Sequence, residues 1–248
     1  MSSFVLNKLR RQGMNKFEPI AKLIKKILEG HFNIDANYSF EEKKEWLLNV
    51  PNKELHNGFW KEIFNIYSNL VDDKLNLNEK ISLVSQNKLA AKPRIDIWFE
   101  EPYNFICEFD ETQHFNQFRQ MTLENSYKDF LYSFNYNQYL ETCRNRILVP
   151  RTSGFFKLRS KDDLFTEMYE SEKQDNRLRQ RAFRDFLKDI VPVKLGYNPT
   201  IRISSRVTNN KIKDFLGSDL EEVKAYLYEI DMLEKIRITN IRKQKAGR

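Results

Sequence analysis

Glycine is scarce in this 248-residue chain, and its seven copies never stand in a GxxxxGK or GxGxxG arrangement. A backbone that wraps nucleotide phosphates needs such glycines, so ATP-driven and dinucleotide chemistry are not expected. Cysteine is scarcer still. Cys107 and Cys143 alone give neither a disulfide framework nor a zinc pattern. The three histidines, His31, His56 and His114, are too scattered for a histidine metal cage. No apolar run approaches the roughly 20 residues that span a bilayer, and Met1 to Lys8 lacks the apolar stretch of a signal peptide. A reduced, cytoplasmic protein with no membrane and no nucleotide cofactor is the expectation.

Aromatic residues and positive charge are plentiful. Nineteen Phe and eleven Tyr, within 40% hydrophobic residues, are enough to fill a packed core. The net charge of +7 and a pI near 9.2 suit a polyanionic partner.

Helical spacing runs through Phe17, Ile20, Leu23, Ile24 and Ile27, predicting a helix over 15–29 with a stop at Gly30. Residues 40–48 and 58–71 predict two more helices. A polar, lysine-rich stretch over 72–92 follows. A helix is expected at about 122–134, and a strong one over 175–190, ended by Pro192 and Gly196. The latter carries Arg177, Arg179, Arg181, Arg184 and Lys188 away from its apolar face. Thr200 to Ser204 alternates as a strand. Ser218 and Glu221 form a capping box for a last helix. From Lys235 to Arg248 there are six basic residues and no acid, a basic tail. With no internal repeat, the order reads as a mixed α/β layout.

The most informative segment is 94–115. Two strands, Arg94 to Phe99 and Phe105 to Phe115, flank a turn at Glu101–Asn104. Alternation places Ile95, Ile97 and Phe99 on one face of the first strand, with Asp96 opposite. In the second strand Phe105, Cys107 and Phe109 share a face, with Ile106, Glu108 and Asp110 on the other. Pairing would gather three carboxylates on one patch, which repels itself unless a cation intervenes. Mg²⁺, with its preference for hard oxygens, is the expected cofactor. Asp96, Glu108, Asp110 and the Phe109 carbonyl are its candidate ligands. Gln113 and His114, at the strand's exit, are placed to orient water or contact phosphate.

The pattern Asp96, hairpin, Glu108-x-Asp110-x-x-Gln113-His114-Phe115 resembles the PD-(D/E)XK nuclease superfamily, in particular the branch related to very-short-patch repair endonucleases. Arg177 to Leu187 and Gly196 to Ile203 resemble the helix and strand that complete that core. The resemblance implies a restriction-endonuclease-like mixed sheet flanked by helices, and Mg²⁺-dependent DNA cleavage with metal ligation at Asp96 and Glu108. The family's lysine, two residues past the second acid, is Asp110 here, and Arg94 stands where the family has Pro. A register using Glu111 and Gln113 is the alternative. Strand alternation favours Glu108, which shares the face of Asp110.

The expected organisation is a helical N-terminal region packed on the core (1–90), a nuclease core with a recognition insertion at about 116–172 (91–205), and a C-terminal helix with a basic tail (206–248). Asn and Gln read adenine and Arg reads guanine in the major groove. The DNA contacts are therefore expected at Asn116, Gln117, Arg119, Asn135, Asn137, Gln138, Arg144, Arg146 and Arg151, with Arg177 and Arg181 on the helix. A Type II restriction enzyme acting as a homodimer on double-stranded DNA is the leading expectation. A repair or mobile-element nuclease and a non-catalytic basic DNA-binding protein are the alternatives.

Overall fold

In the computed structural model, residues 15–71, 77–86, 92–126, 131–145, 162, 164–165, 175–204, 206–208, 211–213 and 220–238 are described. Pro19, in the first turn, suits a helix start, and α1 (Glu18–Phe32) buries Ile20, Ala21, Ile24 and Leu28. It ends at Asn33, whose left-handed backbone lets its N–H donate to the Glu29 carbonyl.

The helix expected over 40–48 is instead a strand and a loop. β1 (Tyr38–Glu42) runs antiparallel to β2 (Ile95–Phe99), pairing Tyr38 with Phe99 and Phe40 with Ile97. Helix-forming Glu and Lys residues lose here to cross-strand pairing, because propensity is a weak local preference. The N-terminal region thus contributes an edge strand to the sheet.

After α2 (Trp60–Leu70) and α3 (Leu77–Gln86), β2 turns back into β3 (Phe105–Asp110), again antiparallel. A 3₁₀ turn (Thr112–His114) leads into α4 (Gln117–Ser126). The helix expected at 122–134 therefore starts earlier, and Ser133 instead forms a parallel bridge with Ile201. Next come α5 (Tyr136–Asn145), α6 (Asn176–Lys194) and β4 (Ile201–Ser204), which lies parallel to β3. A short pair, β5 (Arg206–Thr208) and β6 (Lys211–Lys213), precedes α7 (Leu220–Glu229) and α8 (Met232–Lys235). The result is a mixed four-stranded sheet, order β1-β2-β3-β4, flanked by helices.

Pro192 does not end α6; it lies inside the last turn. Proline offers no N–H to the carbonyl four residues back. That carbonyl, of Lys188, instead accepts the Thr200 hydroxyl at 2.6 Å. The bond ties the end of α6 to the start of β4.

Two cores lie on opposite faces of the sheet. Ile97, Phe99, Phe105, Cys107, Phe109, Ile201 and Ile203 pack with α1 and α7. Trp98 and Ile106 pack with α2 to α6. Ile95 departs from the expected face and joins this second core. Among the described residues, no helix is long and apolar enough to cross a membrane. The Ser218 cap, the tail beyond 238, Arg146 and Arg151 lie outside the described residues.

Candidate active site

Register brings the first two acids together. Ile97 pairs with Cys107 and Trp98 with Ile106, so the next pair along is Asp96 beside Glu108. Here side chains take over from the ladder. The Asp96 N–H donates to Glu108 Oε1 at 3.2 Å, and the Phe109 N–H donates to Asp96 Oδ2 at 3.0 Å. From α6, Lys188 Nζ donates to Glu108 Oε2 at 2.6 Å. A cleft of about 270 Å³ opens at this point. Asp96, Glu108, Phe109 and His114 line it from the sheet side, and Arg177, Arg181, Arg184, Asp185 and Lys188 line it from α6.

Burial pushes the Glu108 carboxyl up to about 7; the Asp96 charge adds to this while Lys188 opposes it. Burial likewise raises Asp96, against the pull of Lys188 and the Phe109 N–H. For both carboxylates desolvation outweighs the pull of the Lys188 ammonium.

Asp110 lies on the same strand face but is differently placed. Arg202, from β4, donates to both its oxygens at 2.7 and 2.9 Å, and the Tyr139 hydroxyl donates to Oδ2 at 2.7 Å. Burial alone would raise its carboxyl; Arg202 and His114 outweigh that and hold it below the usual range. His114 Nδ1 lies 2.7 Å from Asp185 Oδ2 and 3.2 Å from Asp110 Oδ1. Burial also opposes ionisation of Asp185, yet His114 and Arg202 keep it far below its ordinary value. Ligand atoms of Asp110, His114 and Asp185 lie within 4.8 Å of one another, so this buried cluster could coordinate a metal ion.

The remaining expected residues scatter. Gln113 is half-buried but does not line the cleft, and its carbonyl accepts the Asn116 side-chain N–H at 3.0 Å. Glu111, the alternative acid, is exposed and also outside the cleft. Two of the expected base contacts are corrected by burial. Arg119 is fully buried, with its guanidinium 2.6 Å from Asp189. Asn116 is fully buried and caps α4, accepting the N–H groups of Phe118 and Arg119. Neither can reach a base in this conformation. Asn135 similarly caps α5 through the Gln138 N–H, and its amide donates to Glu229. Gln138 is half-buried, its carbonyl accepting from Thr142. Arg144 is exposed and paired with Glu124. Gln117 and Asn137 are exposed. Arg177 and Arg181 both line the cleft.

Sequence reasoning assigned no role to Lys188, Asp185 or Arg202. A signal for Lys188 was present: Arg177, Arg181, Arg184 and Lys188 recur at helical spacing, one stripe opposite the apolar face of α6. For Arg202 the signal was a cation flanked by Ile201 and Ile203 in a strand, where a charge requires a buried partner.

The family of unknown function DUF7255 matches residues 76–206, and the chain belongs to it. No curated protein and no solved structure matches the chain. Every residue lining the cleft falls within the matched span.

Proposed function

We propose that the chain is a Mg²⁺-dependent endonuclease of double-stranded DNA on a restriction-endonuclease-like core, acting as a homodimer at a specific site. One observation carries the reading: Asp96 and Glu108, on adjacent strands, meet Lys188 in a cleft whose other wall is a row of arginines. The donor set suits Mg²⁺, because hard carboxylate oxygens are gathered where burial, and then the neighbouring Asp96 charge, push Glu108 up to about 7. Asp96, Glu108 and the Phe109 carbonyl would hold the ion. When bound, it would neutralise phosphoryl charge and make water acidic enough to attack.

The chain's own groups do the rest. Lys188 keeps the Glu108 carboxylate oriented and carries a positive charge into the cleft. The arginines position the phosphate backbone by bidentate hydrogen bonds. His114, held at Nδ1 by Asp185, is fixed in orientation at the cleft wall.

Supercoiled plasmid incubated with and without Mg²⁺ tests the proposal. Discrete fragments appearing only with the ion support it. Nicking confined to lesions would indicate a repair enzyme instead. Retardation without any cut would leave a binding protein whose acids are structural.

A further inference from the structure

We infer that α6 carries a phosphate track: Arg177, Arg181 and Arg184 hold successive backbone phosphates of the strand whose scissile bond lies at Asp96, Glu108 and Lys188. The inference rests on the nuclease reading for its ligand and adds to it a direction and a length.

At 100° per residue the four cations fall within a sector of about 60° on the helix. Eleven residues separate Arg177 from Lys188, so the row is about 16 Å long. That is the axial rise of about five nucleotides on one strand. All four side chains line the one cleft, and the Lys188 end touches Glu108.

The arginines are also short of close ion pairs. Among the described residues, neither Arg177 nor Arg181 forms an ion pair, and Arg184 has only Asp162 at 3.8 Å. Arg177 instead donates to the Gln180 side chain. Burial, then repulsion from Arg181 and Arg184, lowers Arg177 to about 10. A solvated helix face would leave such side chains exposed, yet all three are half-buried. Clustered guanidiniums facing a cleft match the paired oxygens of a phosphodiester.

Fluorescent duplex oligonucleotides, titrated in EDTA over a range of salt, provide the test. Arg181→Ala and Arg184→Ala should each weaken binding about five- to tenfold and reduce the salt slope by about 0.9. Lysine at either position, which keeps the charge, should restore the slope even where alanine unfolds the chain. Trimming the duplex to fewer than about five base pairs on one side of the cut should reproduce the loss. A slope indifferent to these arginines overturns the track. Because the ion is absent, the two ideas separate. Arginine-dependent binding without cutting when Mg²⁺ is restored keeps the track and sinks the nuclease; cutting with arginine-independent binding does the reverse.

Discussion

Glu108 and Asp110 stand two residues apart on β3, share a face and are equally buried, yet their carboxyls shift in opposite directions. Asp110 meets one guanidinium nitrogen of Arg202, which donates to both its oxygens, and a tyrosine hydroxyl. Arg202 extends further, donating to Asp189 Oδ1 at 2.6 Å and to the Asp185 carbonyl at 2.9 Å; Asp189 also accepts from Arg119. Carboxylates and guanidiniums alternate through that network. Glu108 has the Lys188 ammonium, a weaker pull from Arg202 and a neighbouring acid that repels it. Burial is common to both, so the counter-charge decides. Counter-charge is close and hydrogen-bonded at one acid, and outweighed by desolvation at the other.

The comparison fails if the two acids prove interchangeable. The largest expected effect is on chemistry: Asp96→Ala and Glu108→Ala should abolish Mg²⁺-dependent cleavage while DNA binding in EDTA persists. Full cleavage by either variant would remove it from the site. Next comes Arg202→Met, which removes the guanidinium that Asp110, Asp185 and Asp189 share in the interior. Breaking a buried pair costs about 3–5 kcal/mol, and a urea denaturation curve should show a loss of that size, or no soluble protein. Glu108→Gln, by contrast, should leave the ion-free protein as stable or more so.

The pH dependence sharpens the contrast. The Glu108 pKa is raised on folding, so the native state holds the proton more tightly than the unfolded chain. The group costs nothing below its ordinary value, and the cost grows to on the order of 3 kcal/mol as pH rises through about 7. Asp110 and Asp185 are depressed, so their contribution is present above the usual carboxylate range and is lost as pH falls below it. Melting temperature in EDTA should therefore be highest in mildly acidic buffer and decline toward pH 8. Mg²⁺ should raise it more at pH 8 than at pH 5.5; an equal rise would place the ion elsewhere. The smallest effect is at Arg144, exposed and paired with Glu124, where alanine should change stability by less than about 1 kcal/mol.

Much of the hairpin was legible because alternation is a local rule. Asp96, Glu108 and their apolar neighbours announce the shared face without any long-range information. β1 was not legible, since Glu41 to Glu45 favours a helix until Phe99, Ile97 and Ile95 are present to pair with Tyr38, Phe40 and Glu42. Lys188 was visible as part of a charged stripe, but its bond to Glu108 spans 80 residues, a separation no periodicity encodes. Arg119 shows the opposite limit. An arginine among polar residues reads as a surface group until Asp189, on another helix, proves to be its partner.

The exchange of side-chain and main-chain bonds at the end of the β2–β3 ladder has a spectroscopic consequence. An ion that draws Glu108 Oε1 toward itself takes the acceptor away from the Asp96 amide. That proton should then move upfield and exchange faster with deuterium, while the amide of Trp98, deeper in the ladder, stays unchanged. A single backbone resonance would thus report occupancy of the cleft without any substrate present.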